Sequence, residues 1–284
     1  MSFTLIVKSL LRRKLVTGLL LVQLAVTLAF LVNSALMALH ADELLSRDTG
    51  LDLDNTLMVM LRPTSPAMIE EPFLSHFLER QLGALKKMDA VLAVAYASQA
   101  PLTRYGYTGD LYDLDDQEHI NIGATSMSSA STDIFSALDL RVIAGVLPTQ
   151  LDELIDFNSV DVNKLDPKTR KIVITESIAK KMYGEKPAIG HFTNRGQVVA
   201  VVSDFTGQIG TDNKNFNVLI IEHLLLGAQP YLLMVRVQPG MAETVRPLVA
   251  GALREVDSNI DILETKTLKE QKYDLYKYLS LIHI

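Results

Sequence analysis

The chain has 284 residues, 48% of them hydrophobic and 21% charged, which is enough for one or two domains with a real core and too apolar for a disordered chain. It has no cysteine, which excludes a disulfide scaffold, a thiol nucleophile and a cysteine-ligated zinc or iron–sulfur site. The net charge of −6 is uneven: Lys8, Arg12, Arg13 and Lys14 open the chain without an acid, so the rest holds 23 bases against 33 acids, or −10, with no means of gripping nucleic acid.

Residues 15–39 carry neither charge nor proline. A helix needs about 20 apolar residues to cross roughly 30 Å of hydrocarbon. The apolar part of a signal peptide is about 7–15 residues long and is followed by a small-x-small site. The run here is longer, and Ala38 and Ala41 enclose Leu39 and His40, which is not the usual cleavage spacing. The stretch therefore predicts a retained membrane anchor. Bases before it, and Asp42 and Glu43 after it, place residues 1–14 in the cytoplasm and the chain from about residue 40 outside. Within the span Gln23, Thr27 and Ser34 fall at spacings of 4 and 7 and share a face. A polar stripe in lipid favours another helix as neighbour, so these three read either as helix-packing residues or as polar positions that a single-span anchor tolerates.

Residues 55–63, NTLMVMLRP, read as an apolar strand stopped by proline. In 68–88, Phe73, Phe77, Leu78, Leu82 and Leu85 recur at helical spacing, with Glu79, Arg80 and Lys86 between them. VLAVAYA, residues 91–97, follows as a buried strand. The same strand–helix–strand order returns in 231–239, 241–257 and 259–264. Pro247 either sits within the first turns of that second helix or kinks it. Between the two units come short strands at 171–176, 196–205 and 216–222, and a short helix at 177–185 ended by Gly184. The polar stretch 123–133 reads as a loop. A mixed sheet with helices against it buries both units economically. The prediction is an α+β chain: one N-terminal transmembrane helix, then a mixed α/β extracytoplasmic domain with two subdomains. Residues 40–97 and 231–270 form the one near the membrane, and 98–230 the distal one.

None of His40, His76, His119, His191, His223 and His283 forms a His-x-x-x-His pair, and there is no Gly-x-Ser-x-Gly elbow or phosphate-binding loop. No cofactor site and no catalytic set is therefore expected. Asp113, Asp115, Glu118 and His119 concentrate acid, but without EF-hand spacing or its glycine, so a solvated loop is expected. Tyr105, Tyr107 and Tyr112 are interleaved with glycine. Tyrosine offers contact area at low entropy cost, so this stretch reads either as a contact surface or as a plain hairpin edge. His76 flanks the apolar face of its helix, and Glu222 with His223 ends a strand, where a turn hydrogen bond is the expectation.

Several stretches, in their order and spacing, carry a resemblance: DIFSALDLRVIAGVLPT (133–149), RKIVITESIAKKMYGEKPAIGHFT (170–193), GQVVAVVSDF (196–205), YLLMVRVQPGMAETVRPLV (231–249) and DILETKTLKEQ (261–271). Residues 1–273 resemble the N-terminal half of a permease subunit of an ATP-binding-cassette system of the MacB/FtsX-like class. The resemblance implies a MacB-like periplasmic core domain over 40–273. Residues 274–284 are then the second of four spans barely begun, or a truncation tail. It further implies a bacterial inner-membrane protein that does not hydrolyse ATP. Its partners are a cytoplasmic ATPase, a second permease copy or paralogue, and a periplasmic adaptor or substrate protein, and its output is efflux or mechanotransmission. The competing expectation is a single-span sensor or adaptor whose outer domain binds a ligand without ATPase coupling. Three further apolar spans in the intact gene would decide between them. A secreted hydrolase would need a cleaved N-terminus and a catalytic cluster.

Overall fold

The structure, a computed structural model, describes residues 14–65, 73–114, 121–149, 169–208, 214–221 and 230–282. The chain divides into two compact units, Met1–Arg47 with Tyr276–Ile284, and Asp48–Leu275.

The first unit is built on α1 (Lys14–Ser46), a single helix of 33 residues. Its segment Lys14–Leu39 has a mean hydropathy of 2.5 and is unburied. Apolar side chains surround this helix on every side, as a span requires and a surface helix does not. At about 1.5 Å per residue the segment is longer than the roughly 30 Å of hydrocarbon it would cross. Polar contacts resume after the segment, where Arg47 pairs with Glu43 at 2.7 Å.

The second unit runs β1 (Thr56–Pro63), α2 (Phe73–Lys86), β2 (Val91–Ala97), β3 (Thr108–Tyr112), β4 (Asn121–Ala130), α3 (Ile134–Ala137) and β5 (Val142–Gly145). It continues with β6 (Lys171–Thr175), α4 (Glu176–Tyr183), β7 (Phe192–Thr193), β8 (Gly196–Val202) and β9 (Asn217–Ile221). It closes with β10 (Tyr231–Val237), α5 (Ala242–Val256), β11 (Ile260–Thr267) and the first part of α6 (Leu268–Ile282), whose residues up to Leu275 belong to this unit. The strands form one mixed sheet in the order β11-β1-β10-β2-β4-β9-β6-β8-β5, with β3 paired to β4 and β7 to β8. β4 with β9 and β6 with β8 are parallel, and the other pairs are antiparallel.

Side chains alternate between faces with the period of two that strand geometry imposes. On one face of the first four strands, Leu57, Val59 and Leu61 join Val94, Tyr96, Leu233 and Val235 under Phe77 of α2 and Val245, Val249 and Leu253 of α5. On one face of the other half, Ile172, Ile174, Val218 and Ile220 pack under Ile178 and Met182 of α4. The remaining inward positions of both halves share a middle core: Met58, Ala95, Leu232 and Met234 with Val173, Ala200, Leu219 and Ile221. Ile134 and Phe135 of α3 belong to this core, and the alanines at 93, 95 and 97 of β2 leave the space that α3 fills. β2 and β4 meet at one pair, Ala97 with Ala130, so the sheet is continuous but barely paired there.

Two expectations change. Residues 123–133 are not a loop: all but the last three lie in β4, an inner strand bordered by β2, β3 and β9. Thr125 and Ser126 are buried there because neighbours satisfy them: Thr125 Oγ1 donates to Gly123 O at 3.1 Å, and Gln99 Nε2 donates to Ser126 Oγ at 2.8 Å. And the short strand expected at 259–264 is the longer β11, which runs directly into α6. Pro247 sits in the second turn of α5, which continues unbroken to Val256.

Candidate functional site

The segment between β2 and β3 is unusually well fixed for a surface loop. Leu102 is fully buried with a φ of +56°, a left-handed backbone that costs a leucine about 1–2 kcal/mol and is kept only where neighbours hold it. Its N–H donates to Thr206 O at 3.2 Å, and its C=O accepts from Gln271 Nε2 at 3.0 Å. Thr103 N–H donates to Gly207 O at 3.1 Å, and Thr103 Oγ1 to Tyr105 O at 2.8 Å. Arg104 O accepts from Gln208 Nε2 at 3.3 Å. Tyr107 is held on both sides, donating its N–H to Gln99 Oε1 at 2.6 Å and accepting from Met127 N–H at 3.1 Å. Gly106 lets the chain close on that amide, because a Cβ there would stand 2.1 Å from Gln99 Oε1.

These bonds present two tyrosines to solvent, Tyr105 at 73% and Tyr107 at 56% exposure. The Arg104 guanidinium lies 5.1 Å from the Tyr105 ring centre, within cation–π range. Both tyrosines line a groove of about 320 Å³ with Met58, Met60 and Leu232 on its apolar side and Gln99, Glu264 and Gln271 on its polar side. An apolar lining with a few polar groups and preset aromatic walls suits binding, because little entropy remains to be lost.

Gln271 belongs to the first turn of α6, and that turn is locked to the domain. Thr267 and Glu270 form a reciprocal capping box: Thr267 N–H donates to Glu270 Oε2 at 2.9 Å, and Glu270 N–H to Thr267 Oγ1 at 3.1 Å. Arg246 of α5 grips the same carboxylate through two bonds, at 3.1 and 2.7 Å. Burial works against the charge on Glu270, but the Thr267 N–H and the Arg246 guanidinium outweigh it and hold the carboxyl below its ordinary range. Lys269 donates its N–H to Leu53 O at 3.0 Å and pairs with Asp54 at 2.8 Å.

Tyr112 is set apart from the other two tyrosines. It lies in β3, half-buried, where Asn194 accepts from its N–H at 3.1 Å and donates its own N–H to its C=O at 3.1 Å. Asp113 departs from the solvated loop expected of it: it is buried, with His191 Nδ1 3.0 Å from its Oδ2. Asp115, Glu118, His119, Glu222, His223 and His283 lie outside the described residues, as does the side chain of His40. His76 is exposed on α2. Gln23, Thr27 and Ser34 are all exposed on α1, and Thr27 Oγ1 donates to Gln23 O at 2.8 Å. That bond satisfies the hydroxyl within its own helix, so Thr27 does not require a neighbouring helix for it. No group of three metal-ligating side chains occurs among the described residues.

A second surface lies at the sheet end. All four residues of β5 are exposed, including Val142 and Ile143, and Val146 follows them at the rim of an open groove of about 480 Å³. The opposite end, β11, carries Asp261, Glu264 and Lys266, the charges with which edge strands deter unwanted pairing.

The sequence reading missed Leu102, Gln99, Gln208 and Gln271. A leucine gives no signal of positive φ, and Gln208 and Gln271, 104 and 169 residues from the backbone oxygens they bond, give none of sharing one loop. Only the Thr267-x-x-Glu270 spacing was there to mark the start of α6.

No protein-family model matches this chain, and no curated protein matches it. Among solved structures, the fold is remotely similar to three domains. The periplasmic region of MacB from Actinobacillus actinomycetemcomitans is 13% identical, over 82% of this chain and 97% of that one, with a TM-score of 0.43. A domain of a putative permease protein from Porphyromonas gingivalis is 15% identical, over 75% and 85%, with a TM-score of 0.42. The extracellular domain of the noncanonic ABC-type transporter YknZ from Gram-positive bacteria is 12% identical, over 73% and 100%, with a TM-score of 0.39.

Proposed function

We propose that this chain is a non-catalytic permease subunit of an ATP-binding-cassette system of the bacterial inner membrane. In this reading α1 spans the bilayer, residues 1–14 face the cytoplasm, and the mixed α/β domain lies outside. A cytoplasmic ATPase supplies the energy, a second permease copy or paralogue completes the complex, and an adaptor or substrate protein meets the outer domain. The division of that domain into membrane-proximal and distal subdomains belongs to the same proposal. The observation that carries the reading is α1 itself: an unburied, all-round apolar helix leading a folded α/β domain, with Lys8, Arg12, Arg13 and Lys14 before it and Asp42 and Glu43 directly after its apolar run. The motif order quoted above for the MacB/FtsX-like class supports it.

Three measurements test this. A reporter active only outside the cytoplasm, fused after Glu43, is expected to be active; a mature protein beginning near Ala41 would defeat the anchor. Co-purification of the full-length product from its native membrane is expected to recover a cytoplasmic ATPase. Changing Gln23, Thr27 and Ser34 together to leucine is expected to leave insertion intact and to weaken pairing or ATPase stimulation.

The tyrosine groove favours a second reading, a single-span sensor or adaptor that binds a ligand at Tyr105 and Tyr107. A full-length protein with one span and no ATPase companion would decide for it.

A further inference from the structure

We infer that Gln271 couples helix α6 to the tyrosine groove, so that a displacement of the helix and occupation of the groove are felt through one side chain. The residue has two attachments. Its backbone belongs to the first turn of α6, which the Thr267–Glu270 capping box and the Arg246 clamp fix in direction. Its side-chain amide lines the groove and donates to Leu102 O at 3.0 Å.

The acceptor is what makes this contact more than a pin. Leu102 is the strained residue of the loop, held at φ +56° three positions before Tyr105. A left-handed leucine has a lower-energy backbone available as soon as the bonds holding it are removed. The Leu102 N–H is tied to Thr206, which is part of the sheet domain and has no link to α6 in this network. The bond to its C=O is the one that comes from the helix. A small shift of the first turn of α6 therefore stretches the Gln271 bond, one of the two backbone hydrogen bonds on Leu102, and weakens the restraint on the loop that presents Tyr105 and Tyr107. Linkage makes the effect reciprocal: a ligand in the groove that competes for the Gln271 amide loosens the same contact from the other side. The element with two arrangements is the loop 102–107, and the physical warrant is a chain of named bonds rather than spatial proximity.

The significance for transport rests on the permease reading, but the contact does not, so the two fail separately. These 284 residues hold no tryptophan, so Tyr105→Trp places a single indole reporter on the loop of this chain. The experiment uses this 284-residue chain in lipid nanodiscs and reads acrylamide quenching of that indole together with hydrogen exchange. Gln271→Met keeps the side-chain volume and removes the donor, and Gln271→Ala removes both. Each is expected to raise quenching and to speed exchange across 102–107 by about fivefold, the loss expected from one hydrogen bond, while α2 exchanges as before. Lys269→Ala, which breaks the neighbouring pair with Asp54 on the same turn, is expected to leave the indole unchanged. If Gln271→Met leaves the loop at its parent exchange rate, or if Lys269→Ala loosens it equally, the coupling through Gln271 is overturned. Loss of ATPase recovery with the loop response intact would instead overturn the permease reading alone.

Discussion

Tyr231 shows how much one buried polar atom decides. The ring is among the largest fully buried side chains, and its hydroxyl donates to Gln81 Oε1 at 2.7 Å. Burial drives the phenol's pKa well above its ordinary value, so the group stays a neutral donor at every pH the fold meets. Tyr231→Phe keeps the packing and strands the buried Gln81 amide, and is expected to lower unfolding stability by about 1–3 kcal/mol in denaturant titration. Gly184 makes the opposite kind of case. It adopts φ +61° after α4 and has open space around it, so Gly184→Ala meets no clash and is expected to cost about 1–2 kcal/mol of backbone strain alone. The stop at Gly184 was legible in the sequence because glycine is chosen for that backbone. Leu102 adopts nearly the same φ and was not legible, because its conformation is imposed by Thr206 and Gln271 from far along the chain.

Strands and helices were legible where one face is apolar and the other is not. The residues of α2, α5, β1, β2 and β10 carry that contrast, and their bounds fall within a few positions of the expected ones. β4 was not, because its buried positions mix Met127 and Ala130 with Thr125 and Ser126, whose hydrogen bonds, not whose hydrophobicity, place them inside. The alanines of β2 are equally informative once α3 is known to lie on them. Ala95→Leu is expected to overpack that contact and lower the melting temperature, at a cost of about 1–3 kcal/mol. The start of α6 carries a pH signature. The carboxyl of Glu270 is held below its ordinary range in the folded state, so its contribution is fully present above the unfolded value, about 4.3. It is lost as pH falls through the lower folded value. Since the group is half-exposed, solvent screening limits the effect to on the order of 1 kcal/mol or less. Thermal melts between neutral pH and pH 3 are expected to show a smaller acid loss for Glu270→Gln than for the parent. Thr267→Ala, which removes the other half of the capping box, is expected to cost about 1 kcal/mol at all pH values.

At the scale of the whole sheet domain, the middle core ties the two halves of the sheet together more firmly than the single β2–β4 pair would alone. Val173, Leu219 and Ile221 belong to the same cluster as Met58, Leu232 and Met234. Leu219→Ala is therefore expected to cost about 2–5 kcal/mol and to shift the unfolding of both halves together, as read by exchange in β1 and in β6. The order of the strands has a consequence for biogenesis. β1 pairs on one side with β10 and on the other with β11, and both leave the ribosome long after it. At about 5–20 residues per second, β1 waits on the order of ten seconds or more with neither edge covered. Nascent chains of this kind are hazards for aggregation and targets for holdase chaperones. A chain crossing a membrane during synthesis would need that protection on the far side, so the last strands to emerge set when the first ones become safe.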